Sequence, residues 1–345
     1  MPDPDLVAES LLPDVPFARL RELVLGLAQE QELPVERNDP GALVVGTAYG
    51  RLGFEQRPEG AAARITAPRA DHLQALKDSI VGQVSAAWPE AAQALRWSDG
   101  AGAGRLPPNV RLMALESIEA LDCGFLRIAL AGDVSRFSDD AIHFRLGLPP
   151  RGLACPEWPR LGDNGATVWP KGDAALQLPV YTARHVDPAR GRLVFDLFLH
   201  DGGRAGDWLR AAAPGTEMAV IGPGGGGCRV EGEIRAFADE TAFPAIARLL
   251  ERNPDLTGEI TLQAGSATTR AYPLPDHPGL RLHRPEGLTP EIMAERAIAA
   301  MEAAPEAYLW FAGERDAAQH LRRAYRQAGR PPRRSYISAY WTKAA

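Results

Sequence analysis

The sequence predicts three parts in succession: a small N-terminal α+β domain, an antiparallel β-barrel domain, and a C-terminal α/β domain on a parallel sheet. Three observations predict this. Helical and strand spacings mix over residues 15–98, strand-like segments without a long helix fill 110–225, and strands alternate with helices from about 233 onward. A chain of 345 residues also exceeds what one hydrophobic core usually holds.

In the first part, Phe17, Leu20, Leu23, Val24 and Leu27 recur at helical spacing. Strands are expected at 42–48 (ALVVGTA), 50–56 (GRLGFEQ) and 63–68 (ARITAP), before a second helix carrying Leu73, Leu76, Ile80 and Val84. The stretch DGAGAGRLPPN (99–109) is rich in glycine, alanine and proline and reads as a linker. The expected division is therefore 1–98, a small domain without an assigned role, a linker at 99–109, a barrel over 110–228, and a nucleotide-type domain over 229–345.

The barrel strands are read at 125–133, 141–150, 176–186, 191–200 and 216–225, with one short helix at 205–215. In the last part EIRAFAD, GEITLQAG, LRLHR, AYLWFAGE and RRSYISAYW read as strands. ETAFPAIARLLERN, TPEIMAERAIAAMEAA and ERDAAQHLRRAYRQAG read as helices. Such a sheet binds ligands beyond the carboxyl ends of its strands.

Composition narrows the function classes. Charged residues make up 24% and hydrophobic ones 45%, with a net charge of -6, which argues against a dedicated nucleic-acid binder. The acidic start is not expected to be a secretory signal, and no apolar run of about 18 residues is present. Three scattered cysteines without CxxC spacing suit reduced thiols in a cytoplasm. Seven dispersed histidines show no metal-ligand spacing, so no protein-held metal is expected.

The segment LPVYTARHV (178–186) does not alternate cleanly: Thr182 and Arg184 fall on one face, Tyr181 and His185 on the other. The run Gly222–Gly227 resembles a phosphate loop but leads into a strand, so a flexible inter-domain turn is expected there. Asp239, Glu240 and Thr241 open a helix with Pro244 in its first turn. Two readings stand for them: simple capping, or amides and a hydroxyl that hold a dinucleotide. Ala312 and Gly313 end a strand before Glu314, either for close packing or to admit a planar ring. After ITLQAG no acidic residue awaits a ribose hydroxyl. Ser266, Thr268, Thr269 and Arg270 stand there instead and lean towards the 2′-phosphate of NADPH over NADH. His200 and the glycines after it precede a short helix whose start suits a pyrophosphate.

Taken in order, YTAR, H-x-x-G-x-A-x-x-W, PG-x-x-x-x-x-x-GP, DETAFPAIARLLE, WFAGE and AYW resemble the siderophore-interacting, FAD-dependent ferric reductases, relatives of ferredoxin reductases. The resemblance covers about residues 110–345, and the first domain resembles a small uncharacterised domain sometimes fused ahead of them. It implies a ferredoxin-reductase-like fold with FAD and NADPH as cofactors. Tyr181 is expected against the flavin ring and Thr182 near its reactive nitrogen, these two being the catalytic pair. Ala183 and Arg184 lie beside them. His200, Gly203, Arg204, Ala205, Gly206 and Trp208 are expected along the FAD phosphate and adenine side. Asp239, Glu240, Thr241, Ala242, Phe243, Pro244, Arg270, Ala312, Gly313 and Glu314 are expected around NADPH. Arg145, Lys171 and Arg333 are candidate contacts for an anionic ferric siderophore.

The chain departs from the family pattern at Pro179, where an arginine is usual, and at Arg204 and Gly206, where proline and serine are usual. Thr342 also replaces a basic residue. The expected activity is reduction of a ferric siderophore to release Fe(II) for iron transport, by a cytoplasmic monomer without nucleic-acid or stable membrane association. Two other readings stand: a degenerate flavoprotein that binds a siderophore or nucleotide without turnover, and a general NADPH:flavin or quinone reductase.

Overall fold

The computed structural model describes residues 5–31, 33–100, 102–137, 141–153, 155–200 and 202–343. It divides into two compact units, Met1–Arg111 with Pro149–Leu176, and Leu112–Leu148 with Gln177–Ala345.

The first unit holds β1 (Leu6–Pro13), α1 (Phe17–Glu30), β2 (Val35–Asp39), β3 (Ala42–Thr47), β4 (Gly50–Arg57), β5 (Gly60–Ala67), α2 (Ala70–Ala87) and α3 (Pro89–Ala94). The strands form one antiparallel sheet in the order β1-β5-β4-β3-β2. Leu12, Leu43 and Ile65 of the sheet are buried with Leu20, Leu76, Ile80 and Val84 of the helices. β1 escapes the sequence reading because its inward positions carry Ala8 and Ser10 beside Leu12, a weak apolar alternation. Ser10 is tolerated inside because its hydroxyl donates to the Leu11 carbonyl and accepts from the Arg96 amide.

The second unit begins with β6 (Val110–Leu121), β7 (Phe125–Ala131) and β8 (Ala141–Gly147). The chain then leaves for the first unit. There β9 (Arg160–Leu161) pairs with β10 (Thr167–Val168), and Leu161 exchanges backbone hydrogen bonds with Gly104 and Arg105 of the glycine-rich stretch. Asp78 accepts from the Thr167 amide (2.7 Å) and hydroxyl (2.8 Å), and Gln74 donates to the Gly165 carbonyl (2.9 Å). Residues 149–176, read from the sequence as barrel, thus pack with the N-terminal domain, held by polar side chains that no periodicity reveals. An Asp78→Ala variant should expose this hairpin, seen as faster limited proteolysis between residues 149 and 176.

The barrel resumes with β11 (Val180–Asp187), β12 (Arg192–Phe198), α4 (Arg204–Ala211) and β13 (Glu217–Gly227), and closes in the order β11-β12-β7-β6-β13-β8. Its core holds Leu115, Ile128, Phe144, Leu193, Phe195, Trp208 and Val220. The glycine run is a correction: Gly222–Gly227 is no turn but the end of β13, paired with β8 through two register shifts. Glycine is required at 225, where φ is +79° and a Cβ would stand 2.6 Å from the His143 ring.

The parallel sheet runs β16-β15-β14-β17-β18, from β14 (Glu233–Ala238), β15 (Thr257–Leu262), β16 (Leu280–His283), β17 (Tyr308–Glu314) and β18 (Ser335–Trp341). Phe243, Ile246 and Leu250 of α5 (Phe243–Arg252) cover one face. Met293 and Met301 of α6 (Pro290–Ala303) and Leu321 of α7 (Arg315–Gln327) cover the other. Within this unit the barrel is tied to the sheet by buried Asp196. It takes two hydrogen bonds from Arg127 (both 2.8 Å) and one from the Tyr272 hydroxyl (2.6 Å), with the Tyr272 ring packed on Phe125 and Phe243. Gly258 sits at φ +128°, where a Cβ would meet the Ile234 carbonyl at 2.1 Å. Gly258→Ala should therefore destabilise the protein by about 3 kcal/mol, measured by denaturant unfolding.

Candidate functional site

β11 explains its own untidy pattern. Tyr181 and Thr182 pair with Phe144 and His143 of β8, Ala183 pairs with Phe195 of β12, and the register slips between Ala183 and His185. Arg184 is the residue displaced by this bulge, so consecutive Thr182 and Ala183 are both buried. The Tyr181 ring lies 4.9 Å from Phe195 and 6.4 Å from Phe144, and burial pushes its phenol up from the ordinary range. The Arg184 guanidinium, expected beside the flavin, is forked onto Glu251 of α5 (2.7 Å twice), while its Nε is buried without a protein partner. Arg248, one turn before Glu251, donates to the Ala183 carbonyl (2.8 Å). Neither Glu251 nor Arg248 is marked by the sequence, because both sit in an ordinary amphipathic helix.

After β12, His200 is exposed beside Phe198, and the Gly203 amide donates to its carbonyl (3.2 Å). Gly203 precedes α4 and gives it no side-chain cap, so among the described residues the first helix amides are open to an outside acceptor. Arg204 is exposed at that helix start and Ala205 is half-buried. Gly206 packs beside Leu197 and Leu199, and Trp208 lies in the barrel core. Trp208 is therefore α4's buried anchor.

At the carboxyl ends of the parallel strands, capping accounts for two of the carboxylates. Asp239 accepts from the Thr241 amide (3.0 Å) and hydroxyl (2.5 Å) and from Trp341 Nε1 (2.6 Å). Burial pushes its carboxyl up to about 6. Glu314 accepts from the Asp316 and Ala317 amides that start α7 and from the Lys343 amide. These backbone donors hold its carboxyl below the usual range against the cost of burial. Ala242, Phe243 and Pro244 are packed into the core, as is Ala312. Gly313 leaves no room for a side chain, since a Cβ would stand 2.9 Å from Asp239 Oδ2. Glu240 Oε2 and Gln263 Oε1 are buried acceptors without a protein partner, just past β14 and β15. Arg270 is paired with Glu286 (2.7 Å). Arg145 and Arg333 are exposed on this unit, and Lys171 is exposed on the other.

These features fit the two cofactors. An uncapped helix start preceded by glycine suits the FAD pyrophosphate, and orphaned acceptors at the sheet's carboxyl end suit the hydroxyl and amide hydrogens of a nicotinamide nucleotide.

The structure adds residues that carried no role in the sequence reading. His143 Nε2 stands 2.8 Å from the Tyr336 hydroxyl and 3.1 Å from that of Tyr340, and the two hydroxyls are 3.3 Å apart. Thr182 is the direct partner of His143 across β11 and β8. Both tyrosines lie in the strand read at RRSYISAYW, and Tyr340 in the closing AYW motif. Burial lowers the His143 pKa to about 4, so the ring is neutral near pH 7. The unfolded chain binds this proton below about 6.5 and the folded chain only below about 4. Stability from His143 is thus complete above pH 6.5 and lost as pH falls towards 4, by about 3 kcal/mol. A His143→Gln variant should lack that part of the acid-induced fall in Tm.

Comparison with known proteins gives the same assignment. The family profile described as siderophore-interacting FAD-binding domain matches residues 114–227, and that described as siderophore-interacting protein matches residues 233–344. An NADPH-dependent ferric-chelate reductase of Escherichia coli is 31% identical over 248 residues, 67% of this chain and 92% of that protein. The ferric vibriobactin reductase ViuB of Vibrio cholerae is 30% identical over 136 residues, 37% of this chain and 49% of that protein. The crystal structure of a siderophore utilization protein from T. fusca shares the fold, with a TM-score of 0.52 at 23% identity, over 68% of this chain and 94% of that one. The chain belongs to the siderophore-interacting protein family.

Proposed function

We propose that this protein is an NADPH-dependent, FAD-containing reductase that acts on ferric siderophores. The carrying observation is the pair Tyr340–Trp341. The Tyr340 hydroxyl reaches His143 of the barrel (3.1 Å), the cross-strand partner of Thr182, and the next residue reaches Asp239 at the carboxyl end of the parallel sheet. Two half-sites read separately in the sequence are thereby joined through adjacent residues of one strand.

The residues divide the work by their chemistry. Tyr181, backed by Phe144 and Phe195, supplies an aromatic wall for the flavin ring, and Thr182 a hydroxyl at its polar edge. The first amides of α4, with Arg204 beside them, hold the FAD phosphates. With Pro179 in place of the family's arginine they act without that cation. Glu240 and Thr241 take the nicotinamide nucleotide, Gly313 lets its ring approach, and Arg270 exchanges Glu286 for the 2′-phosphate. That exchange is cheap, because Glu286 is largely exposed. Bound FAD supplies the conversion of a two-electron hydride donor into one-electron reduction.

The substrate is Fe(III) held by hard oxygen ligands. Reduction lowers the metal charge and weakens those bonds. Arg145 and Arg333 are proposed as cations that attract the anionic chelate. Among the described residues no helix is long and apolar enough to cross a membrane. We place the reaction in the cytoplasm, carried out by a monomer without nucleic acid.

The purified protein loaded with FAD should show flavin absorbance that bleaches when NADPH is added without oxygen. Addition of a ferric siderophore with a ferrous trap should then restore the bands and colour the trap. A protein that takes up no FAD sinks the proposal, and bleaching with transfer only to quinones or free flavin makes it a general reductase. Pro179→Arg should tighten FAD binding about tenfold, measured by fluorescence titration.

A further inference from the structure

The turn that follows β15 is held from three sides. Within it, the Ser266 and Thr269 hydroxyls lie 2.9 Å apart, the Thr269 amide donates to Ser266 Oγ (3.1 Å), and the Arg270 amide donates to the Ser266 carbonyl (3.2 Å). From the end of β16, Arg284 Nη1 donates to the Arg270 carbonyl (2.6 Å). On the barrel side stands Tyr272, two residues after Arg270. Its ring is buried 4.6 Å from that of Phe125 and 5.9 Å from that of Phe243, and its hydroxyl donates to Asp196 of β12 (2.6 Å). Asp196 is itself fixed, because the Arg127 guanidinium forks onto it. The Arg270 backbone is thus tightly placed, while its guanidinium rests on Glu286, a carboxylate whose side chain is 82% exposed. A fixed backbone with a side chain that can change partners is what a preset anion contact requires.

We propose that Tyr272 is a positioning residue for Arg270: its hydrogen bond to Asp196 presets the turn, and with it the preference for a nucleotide that carries a 2′-phosphate over one that lacks it. The proposal rests on the placement of Arg270 at the 2′-phosphate given above. A cation on a loose turn must be ordered when the phosphate binds, and that cost is subtracted from the affinity. On a turn already anchored in the core the cost has been met during folding. A nucleotide without the 2′-phosphate makes no use of the Arg270 charge, so its affinity does not depend on the anchor.

Tyr272→Phe keeps the ring and the Arg127 fork and deletes one hydroxyl. The readout is equilibrium binding of NADP+ and NAD+ to the FAD-loaded, full-length protein, measured by calorimetry without turnover. Tyr272→Phe should weaken NADP+ binding about fivefold and leave NAD+ binding unchanged. In an Arg270→Ala background it should have no further effect on either nucleotide. Equal weakening of both nucleotides, or an undiminished effect in the Arg270→Ala background, gives Tyr272 a purely structural role and overturns the proposal while leaving Arg270 at the phosphate. So does unchanged NADP+ binding in Tyr272→Phe where Arg270→Ala weakens it. A preference for NADP+ that survives Arg270→Ala removes Arg270 from the 2′-phosphate, and the proposal falls with that placement. A wild-type protein that binds neither nucleotide overturns the reductase reading together with the proposal. Should Tyr272→Phe fail to fold, Thr269→Val, which cuts the Ser266 contact inside the turn at nearly constant volume, decides it by the same two affinities.

Discussion

A closed barrel leaves no free strand edge, so β8 must be paired on both sides, with β13 and with β11. That requirement sets His143 opposite Thr182 and Phe144 opposite Tyr181. It also runs the glycine-rich end of β13 against His143, where only a residue without a side chain fits at 225. The same closure forces β11 to change partners within a few residues. The bulge that results turns Arg184 towards α5, where Glu251 neutralises it. The Tyr181–Thr182 edge of the barrel and its attachment to the parallel sheet are therefore consequences of one backbone constraint.

The acidic residues at the carboxyl ends of the parallel strands show how capping and recognition compete for the same amides. Asp239 and Glu314 occupy helix starts that an anion would otherwise claim, and Thr289 does the same for α6. Among the described residues no side chain caps the start of α4. The carboxylates at the sheet end brace the C-terminal strand instead, through Trp341 and Lys343.

The first unit is built on different terms. Its sheet covers one apolar core, and it captures the hairpin at residues 149–176 through Asp78, Gln74 and the Ala92 carbonyl. An excursion from the middle of the barrel sequence is thereby folded onto the preceding domain. Neighbourhood in sequence and membership of a core are separate matters here, because polar contacts to Asp78, Gln74 and the Ala92 carbonyl hold the excursion beside a small apolar contribution from Leu161 and Ala166.

Periodicity alone determined the three-part architecture, the helices over Phe17–Glu30, Ala70–Ala87 and Phe243–Arg252, and most strands, because each buries a face with its own regular spacing. Motif order determined the family. The sequence could not separate capping from ligand binding at Asp239 and Glu314, since both use the same residue types at the same helix position. It was silent on His143, Tyr336 and Tyr340, which lie almost 200 positions apart and meet only once the barrel is closed and β18 is seated. It misjudged Gly222–Gly227, because glycines that relieve a close approach look in sequence like glycines that make a turn. What the tertiary structure decided was which polar groups share a proton or a charge. Such pairings depend on distances of about 3 Å between residues remote in sequence, and local pattern carries no record of them.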